Sequence, residues 1–407
     1  MRLGLEVLQE RSFRSLFFAR ALSLLGDGIV PVALAFAVLG IDRSATALGI
    51  VLAAQSVPRV ALMLVGGVFG DRLPRRTVML VSDLVRFVSQ GLVAVLLITH
   101  RAELWHLAVL GFVYGGAASF FLPASTGLIP QVVSKGRLQE ANALVSVTQS
   151  SFSLLGPVLA GLIVATSGPG WAFAIDSASF LLSAAFLARI RSLGVVAPPG
   201  SSFLSDLADG WRIVRSHTWL LVDGILSAVG NAVIIAPIFV LGPLVAVRSL
   251  DGPKSWAIIS AGFGLGAILG GAAALRFSPA RPLLVGWALL ALFGLPAALL
   301  GIPAPTLLIA AGALCAGLAI NFANTMFETA VQQHIPAGAI SRATSFAFFM
   351  ALLLHPVGLG AVGPVSHAIG IRATLFAAAA WSVIASVIAL SVPGVRDLRA
   401  VRDDADG

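Results

Sequence analysis

The sequence predicts an all-α membrane protein of twelve transmembrane helices, arranged as two pseudo-symmetric six-helix bundles. Three observations predict it. First, 58% of the 407 residues are hydrophobic and only 11% are charged, against about 45–50% and about 25% in soluble domains. A water-soluble chain of this composition would lack the polar side chains to cover its surface. Second, a ruler of about 20 apolar residues per bilayer crossing divides the chain into six plus six segments. Third, landmarks recur half a chain apart. Gly66-Gly67 with Arg72 returns as Gly270-Gly271 with Arg276, Ile129-Pro130 with Arg137 as Ile335-Pro336 with Arg342, and Gly156-Pro157 as Gly363-Pro364. Duplicated units of this size are a transporter signature.

The first bundle (1–190) has spans near 13–38, 45–70, 77–99, 104–128, 139–167 and 170–190. Met1 to Phe18 mixes Glu6 and Glu10 with Arg2, Arg11 and Arg14, which reads as an amphipathic lead-in to a retained first span and not as a cleaved signal. Residues 191–217 form the linker: Pro198-Pro199-Gly200-Ser201-Ser202 comes first, then Phe203, Leu207, Trp211 and Val214 at helical spacing. That spacing predicts an amphipathic helix on the membrane surface. The second bundle (218–395) has spans near 218–246, 255–275, 282–300, 306–332, 342–365 and 371–392, and a polar tail occupies 396–407.

Lys and Arg number 18 on one side of these spans against 5 on the other, which places both termini and the linker in the cytoplasm of a cell whose inner or plasma membrane holds the protein. The net charge of +8 is spread over short loops and does not cluster on a soluble face, so no nucleic-acid partner is expected. The single Cys315 permits no intrachain disulfide, and no Cys/His metal pattern exists. Neither Lys135 nor Lys254 follows a Gly, so no phosphate-binding GxxxxGK[ST] loop is present. No cofactor, metal or enzymatic activity is expected. The expected partners are the bilayer, protons and a small amphipathic substrate, with the monomer as working unit.

Ionised side chains inside a bilayer cost at least about 2.5–3.5 kcal/mol and normally face a cavity or a partner. Asp27 lies roughly 21 Å along span one from the cytoplasmic end, and Arg59 roughly 17 Å along span two from the same side. Their similar depth on adjacent antiparallel helices allows an ion pair. Arg20, seven residues before Asp27, shares nearly the same face. Two roles stand open for Asp27: a proton-coupling carboxylate tuned by Arg59 and Arg20, or one half of a permanent pair that ties two helices together. Glu328 in span ten is a further coupling candidate, and it and Asp223 in span seven also read as solvated helix ends. Asp83 and Arg86, three apart in span three, can satisfy each other. Asp176 reads as interfacial, and His355 before Pro356 as a kink residue or a proton relay. Gln55, Tyr114, Asn321 and Asn324 are candidate cavity residues, while Gly262, Gly266 and Gly270 form a small-residue packing stripe.

The loop Gly67-Val68-Phe69-Gly70-Asp71-Arg72-Leu73-Pro74-Arg75-Arg76 resembles the signature loop of the major facilitator superfamily. Pro74 stands where that family usually has Gly, and the second-half copy has Leu275 in place of Asp71. Leu24-Leu25-Gly26-Asp27, Ser82-Asp83-Leu84-Val85-Arg86 and Phe121-Leu122-Pro123-Ala124 are similar to its drug and siderophore exporter branch, with enterobactin exporters and macrolide efflux proteins as relatives. Gly156-Pro157-Val158-Leu159-Ala160-Gly161 is similar to the antiporter motif, with Phe152 and Ala160 where glycines are usual. The resemblance implies that Gly67, Asp71, Arg72, Arg75 and Arg76 act with Asp83 and Arg86 as a conformational switch. In it Asp71 would dock near the start of span eleven, where a helix N-terminus favours a carboxylate by roughly 0.3–1 kcal/mol. It also implies that spans one, four, seven and ten line the substrate cavity. The function so expected is proton-coupled efflux of amphipathic compounds by alternating access, the alternatives being import of a specific metabolite on the same fold or, further off, a membrane enzyme or receptor.

Overall fold

The computed structural model describes residues 6–190, 203–302, 304–336 and 339–400, and within them the side chains of all but 64–72, 135, 203–207 and 341. Among the described residues the secondary structure is helical throughout, and twelve helices are long and apolar enough to cross a bilayer. The first six are α1 (Arg11–Ile41), α2 (Ala45–Arg72), α3 (Arg75–Ile98), α4 (Leu104–Val132), α5 (Leu138–Ser167) and α6 (Pro169–Ala188). A short helix follows, α7 (Phe203–Ser216). The remaining spans are α8 (Thr218–Ser249), α9 (Pro253–Arg276), α10 (Pro282–Gly301), α11 (Thr306–His334), α12 (Arg342–Ile369) and α13 (Ile371–Ser391).

Prolines punctuate these helices without ending them, as Pro31, Pro58, Pro123, Pro157 and Pro364 show. Neighbouring helices and side chains in a membrane protein re-satisfy the freed carbonyls. Other spans change pitch instead. α8 passes through a π-helical turn at Asn231–Ile235 and α10 through a 3₁₀ turn at Ala291–Gly294. α12 breaks its helical bonding before His355, whose ring lies 3.3 Å from the Asn231 carbonyl, so this histidine packs at a kink. Two tight reversals need glycine. Gly168 (φ 87°) closes α5 and opens α6, and Gly370 (φ 90°) does the same between α12 and α13. Both adopt backbone angles that a Cβ disfavours.

Contacts divide the chain into two compact units, one of 1–200 with 251–257 and one of 201–250 with 258–407. In the first, α2 packs on α4, α3 on α4 and α6, and α1 on α5 and α6. Small residues set the closest approaches: a Cβ on Gly115 would lie 2.0 Å from the Gln55 carbonyl oxygen, and one on Gly156 2.6 Å from Gly28 Cα. In the second unit α10 packs on α11 and α13, and α8 on α12. The stripe Gly262, Gly266 and Gly270 meets the carbonyls of Ala310, Leu314 and Leu318 on α11, again at distances that exclude a side chain. α7 belongs to this second unit. Its Asp209 pairs with Arg342 at 3.0 Å, Gly210 lies against Phe346 and Trp211 packs on the same ring, so the helix is seated on protein at the start of α12.

The helix α3 reverses the soluble pattern. Ser82, Asp83, Arg86, Ser89 and Gln90 are buried, while Val81, Val88, Leu92 and Val95 are exposed, Val88 at 55% and Val95 at 58%. Such an arrangement is stable only where the solvent is hydrocarbon, and it turns a stripe of polar groups toward α1, α4 and α6.

The glycine stripe generates a prediction. Gly266→Ala places a methyl 2.0 Å from the Leu314 carbonyl oxygen, whereas Gly40→Ala meets nothing within 4 Å. Forced overpacking costs about 1–3 kcal/mol, so Gly266→Ala lowers the thermal midpoint of the detergent-solubilised protein by roughly 3–10 °C, with Gly40→Ala near wild type. Equal midpoints would refute the close approach.

Candidate functional site

The polar stripe of α3 meets its partners inside the first unit. Asp83, Arg86 and Gln90 stand at i, i+3 and i+7 and so share one face. α6 faces them with Asp176, Phe180 and Ser183, α4 with Tyr114 and Phe121, and α1 with Gly26 and Asp27.

Arg86 is the hub. Its guanidinium, 1% exposed, hydrogen-bonds the Asp83 carboxylate and lies 3.6 Å from Asp27 Oδ1. It is held between two aromatic rings, 4.3 Å from the Phe121 centroid and 4.2 Å from that of Phe180. Cation–π attraction of this kind reaches about 2 kcal/mol in desolvated settings. Asp83 also accepts a hydrogen bond from the Ser183 hydroxyl at 2.5 Å. Tyr114 donates its hydroxyl to Asp27 Oδ1 at 2.5 Å, and Gln90 donates to Asp176 Oδ2 at 2.8 Å. The second Asp176 oxygen is buried without a partner among the described residues, against Gly26, where a Cβ would sit 2.0 Å away.

Two carboxyl groups thus flank one guanidinium, and a third, on Asp176, is held by Gln90 one turn further along α3. Asp83 and Asp176 are fully buried, and only Asp27 has an accessible side chain, 39% exposed. The residue next to it, Gly28, touches Gly156 backbone to backbone, so the proline-bearing stretch of α5 around Pro157 lies directly behind Asp27. Gly161 of the same motif packs against Ala257, which groups with this unit.

This geometry corrects several expectations. Asp27 does not pair with Arg59. Its cation is Arg86, and the Arg59 side chain is exposed. The physical reason is packing order: α2 lies chiefly against α4, and α1 against α5 and α6, so equal depth on α1 and α2 does not bring side chains together. Asp83 and Arg86 belong with Asp27 and not with the α2–α3 loop, because they lie roughly 12–17 Å along α3 from its start and face inward. Asp176 is fully buried, not interfacial. Arg20 is buried on α1, and no carboxylate pairs with it among the described residues. Gln90, Phe121, Asp176, Phe180 and Ser183 were not singled out for this site, although the i, i+3, i+7 and i, i+4, i+7 spacings on α3 and α6 carry the signal.

In the loop itself, Arg75 donates to the Gly127 carbonyl of α4, and Arg76 to the carbonyls of Leu187 and Ala188 at 2.9 and 2.8 Å. Arg76 thereby caps the C-terminal end of α6. The side chains of Gly67, Asp71 and Arg72, and the expected docking of Asp71, lie outside the described residues.

The second unit has its own acidic cavity, of about 100 Å³, lined by Asp223, Trp287, Asn324, Phe327, Glu328 and Phe348 among others. The Trp287 indole hydrogen-bonds Asp223, and Glu328 and Asn324 are exposed. Asn321, by contrast, spends its amide on the Ala267 carbonyl at 2.5 Å and holds α11 to α9. Gln55 touches Gly111 and Gly115 of α4, and Tyr114 is committed to Asp27.

The profile of the Major Facilitator Superfamily matches residues 16–359. The chain is 27% identical over 402 residues to the multidrug efflux pump Tap of Mycolicibacterium fortuitum, covering 94% of this chain and 96% of that one. It is 26% identical over 262 residues to the enterobactin exporter EntS of Citrobacter koseri, covering 64% and 62%. Among solved structures it resembles a variant of the nucleoside transporter NupG (TM-score 0.74, 13% identity, 92% and 98% covered). It also resembles a bacterial homologue of the iron transporter ferroportin in an inward-facing state (TM-score 0.73, 16% identity, 93% and 97% covered). The twelve-helix fold is theirs.

The hub can be tested by removing its charge. Arg86→Leu leaves Asp83 buried without its cation, a loss of about 3–5 kcal/mol, so the monodisperse peak in detergent collapses. Adding Asp83→Asn to Arg86→Leu removes the orphaned charge and restores part of it. A single variant as well behaved as wild type would show that Arg86 does not hold the unit together.

Proposed function

Because the chain belongs to the Major Facilitator Superfamily, we propose that this membrane transporter is a proton-coupled exporter of amphipathic small molecules, with Asp27 as its coupling carboxylate. The observation that carries this reading is the asymmetry of the Arg86 cluster: two carboxyl groups lie on one guanidinium, a third is bound to Gln90 beside it, and of the three only Asp27 has an accessible side chain. Full ionisation of all three would leave net negative charge in a low-dielectric interior, which is costly. The cluster therefore has room for a proton, and Asp27 is where it enters and leaves.

Protonating Asp27 removes one of the two charges opposing Arg86 while Asp83 keeps the guanidinium in place. The Tyr114 hydroxyl remains as a neutral partner. The change in charge is thus local to the accessible residue, and alternating access of a site near the midplane supplies the two sides between which the proton moves. The excess of basic residues on one set of loops supports both termini, α7 and the loop carrying Arg75 and Arg76 being cytoplasmic. In the second unit, two carboxyl groups among Trp287, Phe327 and Phe348 offer charge and apolar surface together, which favours amphipathic cations. Export is supported by the two exporter relatives, and the working unit is a monomer.

Ethidium efflux from pump-deficient bacterial cells tests the reading. Wild type extrudes the dye, a protonophore stops it, Asp27→Asn reduces extrusion to the empty-vector level, and Asp27→Glu retains a measurable part. Extrusion untouched by Asp27→Asn leaves Asp27 a structural residue, and inward movement of a metabolite from well-expressed wild type would turn the direction around.

The second-unit cavity adds a separate expectation. Asp223→Asn with Glu328→Gln raises the apparent KM for ethidium about tenfold and leaves a neutral substrate such as chloramphenicol within about twofold. Equal loss for both compounds would remove cation selectivity from these residues.

A further inference from the structure

At the basic end of the first unit, a cavity of about 280 Å³ opens between the first turns of α1 and the last turn of α6. Arg11, Ser12, Arg14 and Ser15 line it from α1, and Arg189 follows directly after α6. We propose that this cavity binds a phosphate group, and that its natural occupant is the headgroup phosphodiester of an anionic membrane lipid.

Four features support that assignment. Three arginines line one cavity, and among the described residues no carboxylate pairs with any of them. The nearest acid in sequence, Glu10, is turned elsewhere: it accepts from the Ser134 hydroxyl at 2.8 Å and lies 3.8 Å from Arg137. The first turn of α1 has no side-chain cap, so its free backbone N–H groups add to the attraction for an anion. Two serine hydroxyls provide neutral donors beside the arginines, the combination that suits phosphate oxygens.

The floor of the cavity distinguishes a lipid from a free ion. Phe18 and Phe186 stack there at 5.6 Å, and the Arg189 guanidinium lies 5.1 Å above the Phe186 ring. Phe18 is exposed, and one turn deeper on the same face of α6 stands Leu182, also exposed. A guanidinium rim above an exposed apolar strip matches a headgroup with its acyl chains, since basic pockets between transmembrane helices take anionic headgroups. A soluble anion would need the rim but not the strip. Arg11, Arg14, Arg189 and the two serines are no part of the Arg86 cluster, and the proposal stands whether or not the protein exports.

The full-length protein, purified in a mild detergent, is offered phosphatidylglycerol, phosphatidylcholine or inorganic phosphate in turn. Native mass spectrometry counts bound lipid, and the thermal midpoint reports each addition. Wild type retains phosphatidylglycerol about tenfold over phosphatidylcholine, and the double variant Arg14→Gln with Arg189→Gln retains both alike. Arg189→Gln alone, at an exposed position past the helix end, gives an intermediate preference and guards against misfolding of the double variant. If inorganic phosphate raises the midpoint of wild type but not of Arg189→Gln, with no preference between lipids, the phosphate site holds and its occupant is a soluble ion. Phosphatidylglycerol retained equally by wild type and both variants, or no response of wild type to any of the three, overturns the proposal.

Discussion

A charged guanidinium in the interior of a bilayer protein is stable only if the surrounding helices supply what water would have supplied. Arg86 is met by a carboxylate on its own helix, a second on α1 and two aromatic faces from α4 and α6, with its Nε alone left without a partner among the described residues. Each partner comes from a different direction, so the cluster fixes the rotation of four helices at once. The close backbone contacts follow from it. Gly26 has no side chain because Asp176 occupies that space, and Gly28 meets Gly156 because α1 is drawn toward the cluster's edge. A Cβ at either place would move Asp27 relative to Arg86.

The two units solve the same packing problem with different chemistry. Both place glycine against a facing carbonyl, as Gly115 does with Gln55 and Gly266 with Leu314. Among the described residues, only the first unit builds an ionic core on that frame. The second has an aspartate held by an indole, a glutamate open to a small cavity, and an asparagine spent on joining two helices. The two units share a way of packing and differ in their charges. An acidic residue in the second unit without a guanidinium beside it is suited to meeting a positive ligand, whereas the carboxylates beside Arg86 are favoured in their ionised form by it.

How much of this was legible in the sequence depends on the range of the interaction concerned. Span number and placement follow from apolar length, a property of each segment alone, and α1 to α6 and α8 to α13 lie close to the expected segments. The neighbour relation of Asp83 and Arg86 follows from helical spacing. The partner of Asp27 does not, because depth along two helices says nothing of which pair is adjacent or how each is rotated. Arg59 has the right depth on a helix that faces elsewhere. Asp176 was misplaced for a similar reason: its distance from the end of a short span suggests an interface, but α6 is packed on both α1 and α3 at that level. The burial of Gln90 and Ser183 depends on α3 and α6 facing each other, which only the assembled bundle specifies.

The inverted polarity of α3 has a consequence for biosynthesis. A membrane helix is threaded into the bilayer as it leaves the ribosome, and α3 reaches that point carrying Asp83, Arg86 and Gln90 while most of their partners do not yet exist. Ser183 follows Asp83 by 100 residues, and Asp176 follows Gln90 by 86. Until α6 is made, the polar stripe has only α1, α4, its own carboxylate and whatever water or insertion machinery shields it. The first unit is therefore committed to a waiting period in which α3 is held at the edge of the membrane or in a protected channel. The polar stripe of α3 has its full set of partners only once the six-helix unit is complete.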